Sequence, residues 1–285
     1  MATKKKYSFG PKFYKNYNED NTSVKQIIVA DNGVFIKTKA NPLCFAMRKT
    51  TLEECGLNEV DLKFDKIGEE PLTLEAKPYM TKKIPKGLMN TILRFYQVYA
   101  KKGLEVKVNV WYDKVNDEFF LDCPFQQVTS VTAQEYSFAE TYINWTDSLK
   151  EKYPQKYALA ERLANNEIVL VLETHSHHNM GCSFSSTDDK ADYFDTSGCN
   201  LSGVYITVIK NPRIHLRYFI ANTFNKNRMK SSLTKMQDEV LFKEEDIIDF
   251  TDTEMREYDF NDFARYVNIT DEEILNIDVK ENNNG

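Results

Sequence analysis

Histidine is scarce in this chain, and its few cysteines follow no framework. Only 4 of the 285 residues are histidine. The 5 cysteines are scattered and include no Cys-x-x-Cys pair, which argues against a sulfur-rich structural zinc site. An odd number of cysteines without framework spacing is typical of a reducing compartment, so we expect free thiols.

Long apolar runs are also missing. No stretch approaches the roughly 18 apolar residues of a membrane-spanning helix, and no apolar run follows the basic residues at the N-terminus. We therefore expect a cytoplasmic protein that does not enter a membrane. Basic and aromatic residues interleave over residues 1–23 without repeating, so we expect a flexible arm there and no nucleic-acid partner.

Charge is unevenly distributed along the chain. The formal net charge is -6, but residues 237–285 alone hold 16 acidic and 4 basic residues, a net of -12, which leaves +6 for the rest. Such a stretch is most often a solvated surface. We predict an acidic C-terminal segment over residues 236–285.

Hydrophobic patterns predict a protein of the α/β (α+β) class with an N-terminal β-hairpin extension. Asn32-Gly33 between two β-prone runs indicates the hairpin. Apolar positions from Leu88 to Ala100 predict an amphipathic helix that stops at Gly103. The apolar run over residues 168–172 predicts a buried central strand. Further strands are expected over residues 105–112, 119–123, 203–209 and 214–221, and a helix over 157–164.

One short segment holds three of the four histidines. Residues 175–188 read His-Ser-His-His-Asn-Met-Gly-Cys-Ser-Phe-Ser-Ser-Thr-Asp. Because side chains alternate along a strand, His175 and His177 project to the same side and can share a cation, with Asp188 as a third ligand. Three nitrogen and oxygen ligands leave a fourth position open, as catalytic zinc requires.

Neighbouring residues have alternative roles. His178 would face away from the metal, so we expect a structural role or a substrate contact. Asp189 is a weaker ligand candidate than its neighbour in the motif. Cys182 could place an inhibitory thiol near zinc, although a small buried residue is the commoner explanation. Glu173 lies two residues before the first histidine and could orient an imidazole.

The spacing of His175, His177, Ser185 and Asp188 resembles the JAMM signature of the MPN-plus zinc metalloproteases, which cut ubiquitin-like modifiers from conjugates. More narrowly, the motif is similar to bacterial JAB-domain proteins of the PRTRC system protein A type, as are residues 31–35 and 118–126. The resemblance implies a metalloprotease domain of the MPN/JAB type over residues 85–235, with a mixed sheet flanked by helices. The strand patterns before it predict a β-rich extension over residues 24–84. Residues 130–166 lie where related peptidases carry an insertion that recognises the modifier, and helix packing explains the aromatic residues of this stretch equally well.

The resemblance also implies a mechanism. Zinc would lower the pKa of a water molecule, and Glu105, at the start of a strand after a long helix, would accept its proton and pass it to the leaving amine. Ser185 would hydrogen-bond the developing oxyanion. Glu173 and Glu118 remain rival bases. The implied partners are a ubiquitin-like modifier or its conjugates, and proteins that resemble activating and conjugating enzymes.

Two other function classes are open to a chain of this kind. A catalytically silent MPN scaffold would bind partners, but scaffolds generally lose zinc ligands and this chain keeps them. A zinc nucleobase deaminase needs His-x-Glu with Pro-Cys-x-x-Cys, which the sequence lacks. We therefore expect a zinc isopeptidase, with the scaffold as its alternative.

Overall fold

The computed structural model describes residues 25–30, 32–39, 43–53, 73–136, 143–177, 184–185, 188, 201–206, 212–221 and 237–275. The chain divides into two compact units. The first comprises residues 1–83, 190–199 and 217–247, and the second comprises residues 84–189, 200–216 and 248–285. The arm predicted over residues 1–23 lies outside the described residues.

Helices and strands are both well represented, which confirms the predicted α+β class. In chain order the strands are β1 Lys25–Ala30, β2 Gly33–Lys39, β3 Cys44–Thr50, β4 Pro78–Met80, β5 Ile84–Pro85, β6 Lys107–Asp113, β7 Glu118–Asp122, β8 Gln126–Val128, β9 Ala133–Glu135, β10 Ile168–Ser176, β11 Leu201–Ile206, β12 Arg213–Ala221, β13 Gln237–Phe242 and β14 Ile248–Asp249. The helices are α1 Lys86–Ala100, α2 Asp147–Lys152, α3 Pro154–Ala164, α4 Glu244–Ile247, α5 Phe260–Ala264 and α6 Glu272–Leu275. Within the part of the chain described, none of these helices combines the length and apolar character needed to cross a bilayer.

The first unit contains an antiparallel sheet in the order β1-β2-β3-β4. The turn between β1 and β2 depends on Gly33, whose φ of 140° is a conformation that other residues rarely adopt. Asn32 fastens this turn, because its side-chain amide donates to Leu74 O at 2.7 Å and its Oδ1 accepts from Leu74 N at 3.1 Å. The predicted hairpin is confirmed.

The second unit is organised around β10, which lies between β11 and β6 in a mixed sheet; the strands that belong wholly to this unit have the order β11-β10-β6-β7. β10 runs parallel to β11 and antiparallel to β6, and β6 runs antiparallel to β7. The predicted central strand and the mixed character of the sheet are thus confirmed. The strands expected over residues 203–209 and 214–221 are present as β11 and β12, and residues 207–211 lie outside the described residues.

Helix α1 forms where the apolar spacing predicts it and buries one face. Its inward residues are Leu88, Ile92, Phe95, Tyr96 and Tyr99. Tyr96 joins the helix to two strands: its hydroxyl lies 2.5 Å from Thr174 Oγ1 and accepts from Val108 N at 3.1 Å. Thr174 Oγ1 donates to Val108 O at 2.7 Å. A buried polar network of this kind fixes the pairing of β6 with β10.

Residues 248–275 of the acidic C-terminal segment are part of the second unit and bury their apolar residues in it. The buried ones are Phe263, Tyr266, Ile269 and Ile274. The acidic residues between β14 and α5 face solvent: Asp252, Glu254, Glu257 and Asp259. The expectation of a solvated surface therefore holds for these charges, whereas the segment that carries them belongs to the second unit.

Gly87 marks the closest approach between α1 and this C-terminal segment. Its N–H donates to Asp252 O at 2.9 Å, and a Cβ at this position would lie 1.9 Å from Glu254 O. We expect Gly87→Ala to destabilise the protein by about 2–3 kcal/mol, because backbone must move to admit the methyl group. Gly103→Ala is the control. Its Cβ meets nothing within 4 Å, so it should cost only about 1 kcal/mol for its positive φ. Urea unfolding followed by circular dichroism measures both, and equal losses would contradict the packing argument.

Candidate metal centre

The two motif histidines converge at the end of β10. His175 is the penultimate residue of β10, and His177 is the first residue after the end of this strand. The period of two places both rings on one side of the sheet, and their Nε2 atoms lie 3.1 Å apart. The predicted pair is therefore brought together, with both ring nitrogens aimed at one point.

Asp188 completes a group able to hold a metal ion. His175 Nε2 lies 3.1 Å from Asp188 Oδ1, and His177 Nε2 lies 3.4 Å from Asp188 Oδ2. Ligand atoms about 2.05 Å from a tetrahedral zinc would lie about 3.3 Å from one another. The observed separations, each measured to a different oxygen of Asp188, are close to that spacing, so the two nitrogens and the carboxylate are compatible with three corners of a tetrahedron.

Ser185 orients Asp188 through a reciprocal pair of hydrogen bonds. Ser185 N donates to Asp188 Oδ2 at 2.6 Å, and Asp188 N donates to Ser185 Oγ at 3.2 Å. This exchange is a capping box, in which residues three apart satisfy each other's main-chain donors. The Ser-x-x-Asp spacing is a local signal from which this contact could have been predicted. Sequence reasoning instead assigned Ser185 only to the oxyanion.

His175 and Asp188 are in the protonation states that bind a metal ion. Burial lowers the pKa of His175, against the raising effect of Asp188, so the imidazole is held in the neutral form that binds metal. Burial alone would raise the pKa of Asp188. Hydrogen bonds from both histidines and from Ser185 N outweigh it and hold that pKa well below its ordinary value. The carboxylate therefore stays ionised.

Glu105 lies beside this group. The next residue but one, Lys107, pairs with His175 in the β6–β10 ladder, so Glu105 falls opposite His177 on the same face. The Glu105 side chain is buried, with the residue only 3% exposed. Burial raises its pKa to about 7, with His177 lowering it and Asp188 raising it. A group that titrates near neutral pH can both accept and return a proton.

The rival bases occupy different places. Glu118 begins β7 opposite Asp113, at the far end of β6, and lies 3.5 Å from Arg256. Glu173 pairs with Asn109, one step along the same face from His175. At about 3.4 Å per residue, two residues of strand carry a side chain about 7 Å away. Glu118 and Glu173 are therefore less well placed than Glu105 to act as a general base beside the metal ligands.

Several residues that sequence reasoning missed hold the chain around Glu105. Glu105 N donates to Thr129 O at 2.9 Å. Lys107 N donates to Gln126 Oε1 at 2.8 Å, and Gln126 Nε2 donates to Lys107 O at 2.9 Å. On the β10 side, Ser176 contacts the intervening Val106. No local signal indicates these partners, because they come from distant parts of the chain.

A positively charged side chain, that of Lys107, influences the candidate site. Lys107 pairs with His175 across the ladder, and its Nζ lies 3.6 Å from Glu135 Oε2 on β9. Glu135 also accepts from Asn109 Nδ2 at 3.0 Å. The positive charge of Lys107 helps to keep His175 neutral, since it contributes to lowering the pKa of that imidazole.

Three predicted site residues and part of the predicted insertion have no structural account. His178, Cys182 and Asp189 lie outside the described residues, as do residues 137–142. The two cysteines in the described part, Cys44 and Cys123, are buried and form no disulfide. Roles proposed for the undescribed residues stay predictions.

Comparison with known proteins adds no relative. No protein-family model matches the chain, and no curated protein matches it. The motif, its geometry and the chemistry of its residues are therefore the indications of function.

The buried Glu105 makes the stability of the metal-free protein depend on pH. Its pKa is about 7 when folded, against 4.5 for an ordinary glutamate, so the folded state retains a proton that the unfolded chain releases. The free energy of unfolding should therefore fall as pH rises from about 4.5 to 7.

We expect Glu105→Gln to stabilise the metal-free protein at pH 8 by about 3 kcal/mol, taking roughly 1.4 kcal/mol per pKa unit. At pH 4 the carboxyl group is protonated in both states, so the variant and wild type should differ little. Urea unfolding in the presence of a chelator measures both. Equal effects at the two pH values would show that burial of the charge is not the cause.

Proposed function

We propose that this protein is a zinc-dependent metallopeptidase of the JAMM type, which hydrolyses an isopeptide or peptide bond after the C-terminus of a ubiquitin-like modifier. One observation carries the proposal. His175, His177 and Asp188 converge at ligand spacing with a buried carboxyl group beside them. A structural metal site would have no need of that adjacent proton acceptor.

The donor set favours zinc. Two imidazole nitrogens and one carboxylate oxygen are the ligands of many catalytic zinc sites, and they leave a fourth position for water or substrate. Calcium and magnesium prefer oxygen ligands throughout. A zinc ion held there would polarise a carbonyl group and lower the pKa of a water molecule.

The residues around the metal position have separable roles in hydrolysis. Glu105 would accept the proton of the attacking water and return it to the leaving amine, for which its pKa of about 7 is suited. Ser185 Oγ accepts from Asp188 N, which leaves its hydroxyl hydrogen to be donated to the substrate oxygen. Such a donor stabilises negative charge that develops on the oxygen in the transition state.

The substrate class is supported by the JAMM-like spacing of the motif. The proposal includes a modifier or its conjugates as substrate, proteins resembling activating and conjugating enzymes as partners, and the cytoplasm as location. An MPN-type fold is part of the same proposal. The mixed sheet with β10 delivering both histidines is compatible with it.

Metal content tests the first part of the proposal. We expect about one zinc per chain after purification and removal of loosely bound metal, measured by plasma mass spectrometry. His175→Ala and Asp188→Ala should each lose most of it, because two remaining ligands rarely retain zinc. His215→Ala is the matched control, since His215 is exposed on β12 and belongs to no such group among the described residues. Absence of zinc from the wild-type protein would refute the proposed zinc-dependent activity.

Cleavage tests the second part. The substrates are modifier fusions in which the C-terminal glycine of a ubiquitin-like protein precedes a reporter. We expect Glu105→Gln to lower kcat by about 10²–10⁴-fold, the range for loss of a general base. Glu173→Gln and Glu118→Gln serve as controls and should retain kcat within about threefold, because their carboxyl groups take no part in proton transfer.

Each contrary result has a distinct meaning. If Glu173→Gln abolished cleavage and Glu105→Gln did not, the base would be misassigned. Bound zinc without Glu105-dependent cleavage of any fusion would favour the catalytically silent scaffold.

A further inference from the structure

The regular part of the sheet sets the face on which Glu105 lies, but it does not fix the distance of Glu105 from the two histidines. The β6–β10 ladder ends at the pair Lys107 and His175, so Glu105 lies two residues beyond it on one strand and His177 two residues beyond it on the other. The distance between the candidate base and the candidate ligands therefore depends on contacts made past the end of the ladder.

Ser176 supplies those contacts. It lies between the two histidines and is completely buried, at 0% exposure. Because side chains alternate, it points to the face opposite the metal ligands. Ser176 N donates to Val106 O at 3.0 Å, and Val106 N donates to Ser176 Oγ at 3.1 Å. We call this pair of hydrogen bonds the Ser176–Val106 clamp.

The clamp replaces one regular hydrogen bond with a side-chain bond. In an antiparallel pair, opposed residues exchange two main-chain hydrogen bonds. Here the acceptor for Val106 N is the serine hydroxyl, and β10 ends at this residue. The main chain can thus leave the ladder and carry His177 onto the site, while Val106 stays attached to the strand that bears the ligands.

The other contacts near Glu105 do not perform this task. Thr129 and Gln126 bind residues 105 and 107 from the β8–β9 side. They locate Glu105 relative to that hairpin. The Ser176–Val106 clamp joins a neighbour of Glu105 directly to a neighbour of both His175 and His177.

We propose that Ser176 is a positioning residue that holds Glu105 in register with His175 and His177, a role that rests on the proposed function of the site. Its hydroxyl touches neither metal nor substrate and acts through the main chain at Val106. The proposal predicts that loss of the hydroxyl matters only as long as the Glu105 carboxylate is present.

A double-mutant cycle tests this dependence. With zinc in excess, so that the site is filled, we expect Ser176→Ala to have a KM within about twofold of wild type, while kcat falls about 10- to 100-fold, as small misplacements of reacting groups do. In the Glu105→Gln background, Ser176→Ala should lower kcat no further. Losses that simply add in the double variant would overturn the proposal, and so would a wild-type kcat in Ser176→Ala.

Thr91→Val is the matched control for general loss of stability. Thr91 is a buried residue of α1 whose hydroxyl donates to Gly87 O and Arg256 O, away from Glu105 and both histidines. It should lower the thermal midpoint by a similar amount but retain kcat within about twofold, since remote sites are usually energetically independent. If Thr91→Val lost as much kcat as Ser176→Ala, general loss of stability would explain the lower kcat of Ser176→Ala, and the positioning role would be refuted.

A second cycle needs no substrate. Zinc affinity is measured at pH 8 by competition with a chromophoric chelator. Glu105→Gln should weaken binding about 10- to 100-fold, as loss of an outer partner of a metal site does. Ser176→Ala should weaken it in wild type and not in Glu105→Gln. If no fusion is cleaved but this cycle holds, the peptidase fails while the positioning role stands, and additive losses in zinc affinity would refute that role.

Amide hydrogen exchange measures the integrity of the Ser176–Val106 clamp and needs neither metal nor substrate. The Val106 N–H should exchange at least about tenfold faster in Ser176→Ala, because its acceptor is gone. Thr91→Val should leave that amide protected. Unchanged exchange at Val106 in Ser176→Ala would overturn the proposal even if the protein bound no zinc.

Discussion

The antiparallel register of β6 with β10 is the constraint on which the candidate site depends. It pairs Lys107 with His175 and so places Glu105 and the two histidines on one face. A slip of one residue would move every side chain of one strand to the other face and separate them. The buried bonds of Tyr96, Thr174 and Val108 make such a slip costly, because each would lose its partner.

Burial at this site has opposite effects on stability and chemistry. It disfavours the ionised form of Glu105 and so destabilises the folded protein at neutral pH, yet it also brings that pKa near 7. Asp188 lies in the same surroundings and is kept ionised by three hydrogen-bond donors. Two carboxyl groups in one site thus have opposite pKa shifts, a pattern typical of acid–base catalysis.

The sequence predicted what is encoded locally. The hairpin at Asn32, helix α1, the central strand β10 and the convergence of His175 with His177 all follow from periodicities within a few residues. Glu105 was identified through the family resemblance, which implies a glutamate at the start of a strand after a long helix. Ser176 and Gln126 were missed, because their partners lie 70 and 19 residues away in the chain. The capping box of Ser185 with Asp188 was a local signal that went unread.

Apolar residues, and not the more numerous charged ones, determine how the C-terminal part of the second unit packs. Acidic residues dominate the C-terminal segment, but its few apolar residues determine its packing. Gln126 N donates to Tyr266 O, Asn268 N donates to Gln126 O, and the Gln126 side chain holds Lys107. The acidic segment is therefore connected through Gln126 to the residue that pairs with His175. Because Gln126 is fully buried, removing residues 260–269 would leave its main-chain groups without these partners and expose it to water. Support for the site thus extends into the part of the chain whose composition looks least structural.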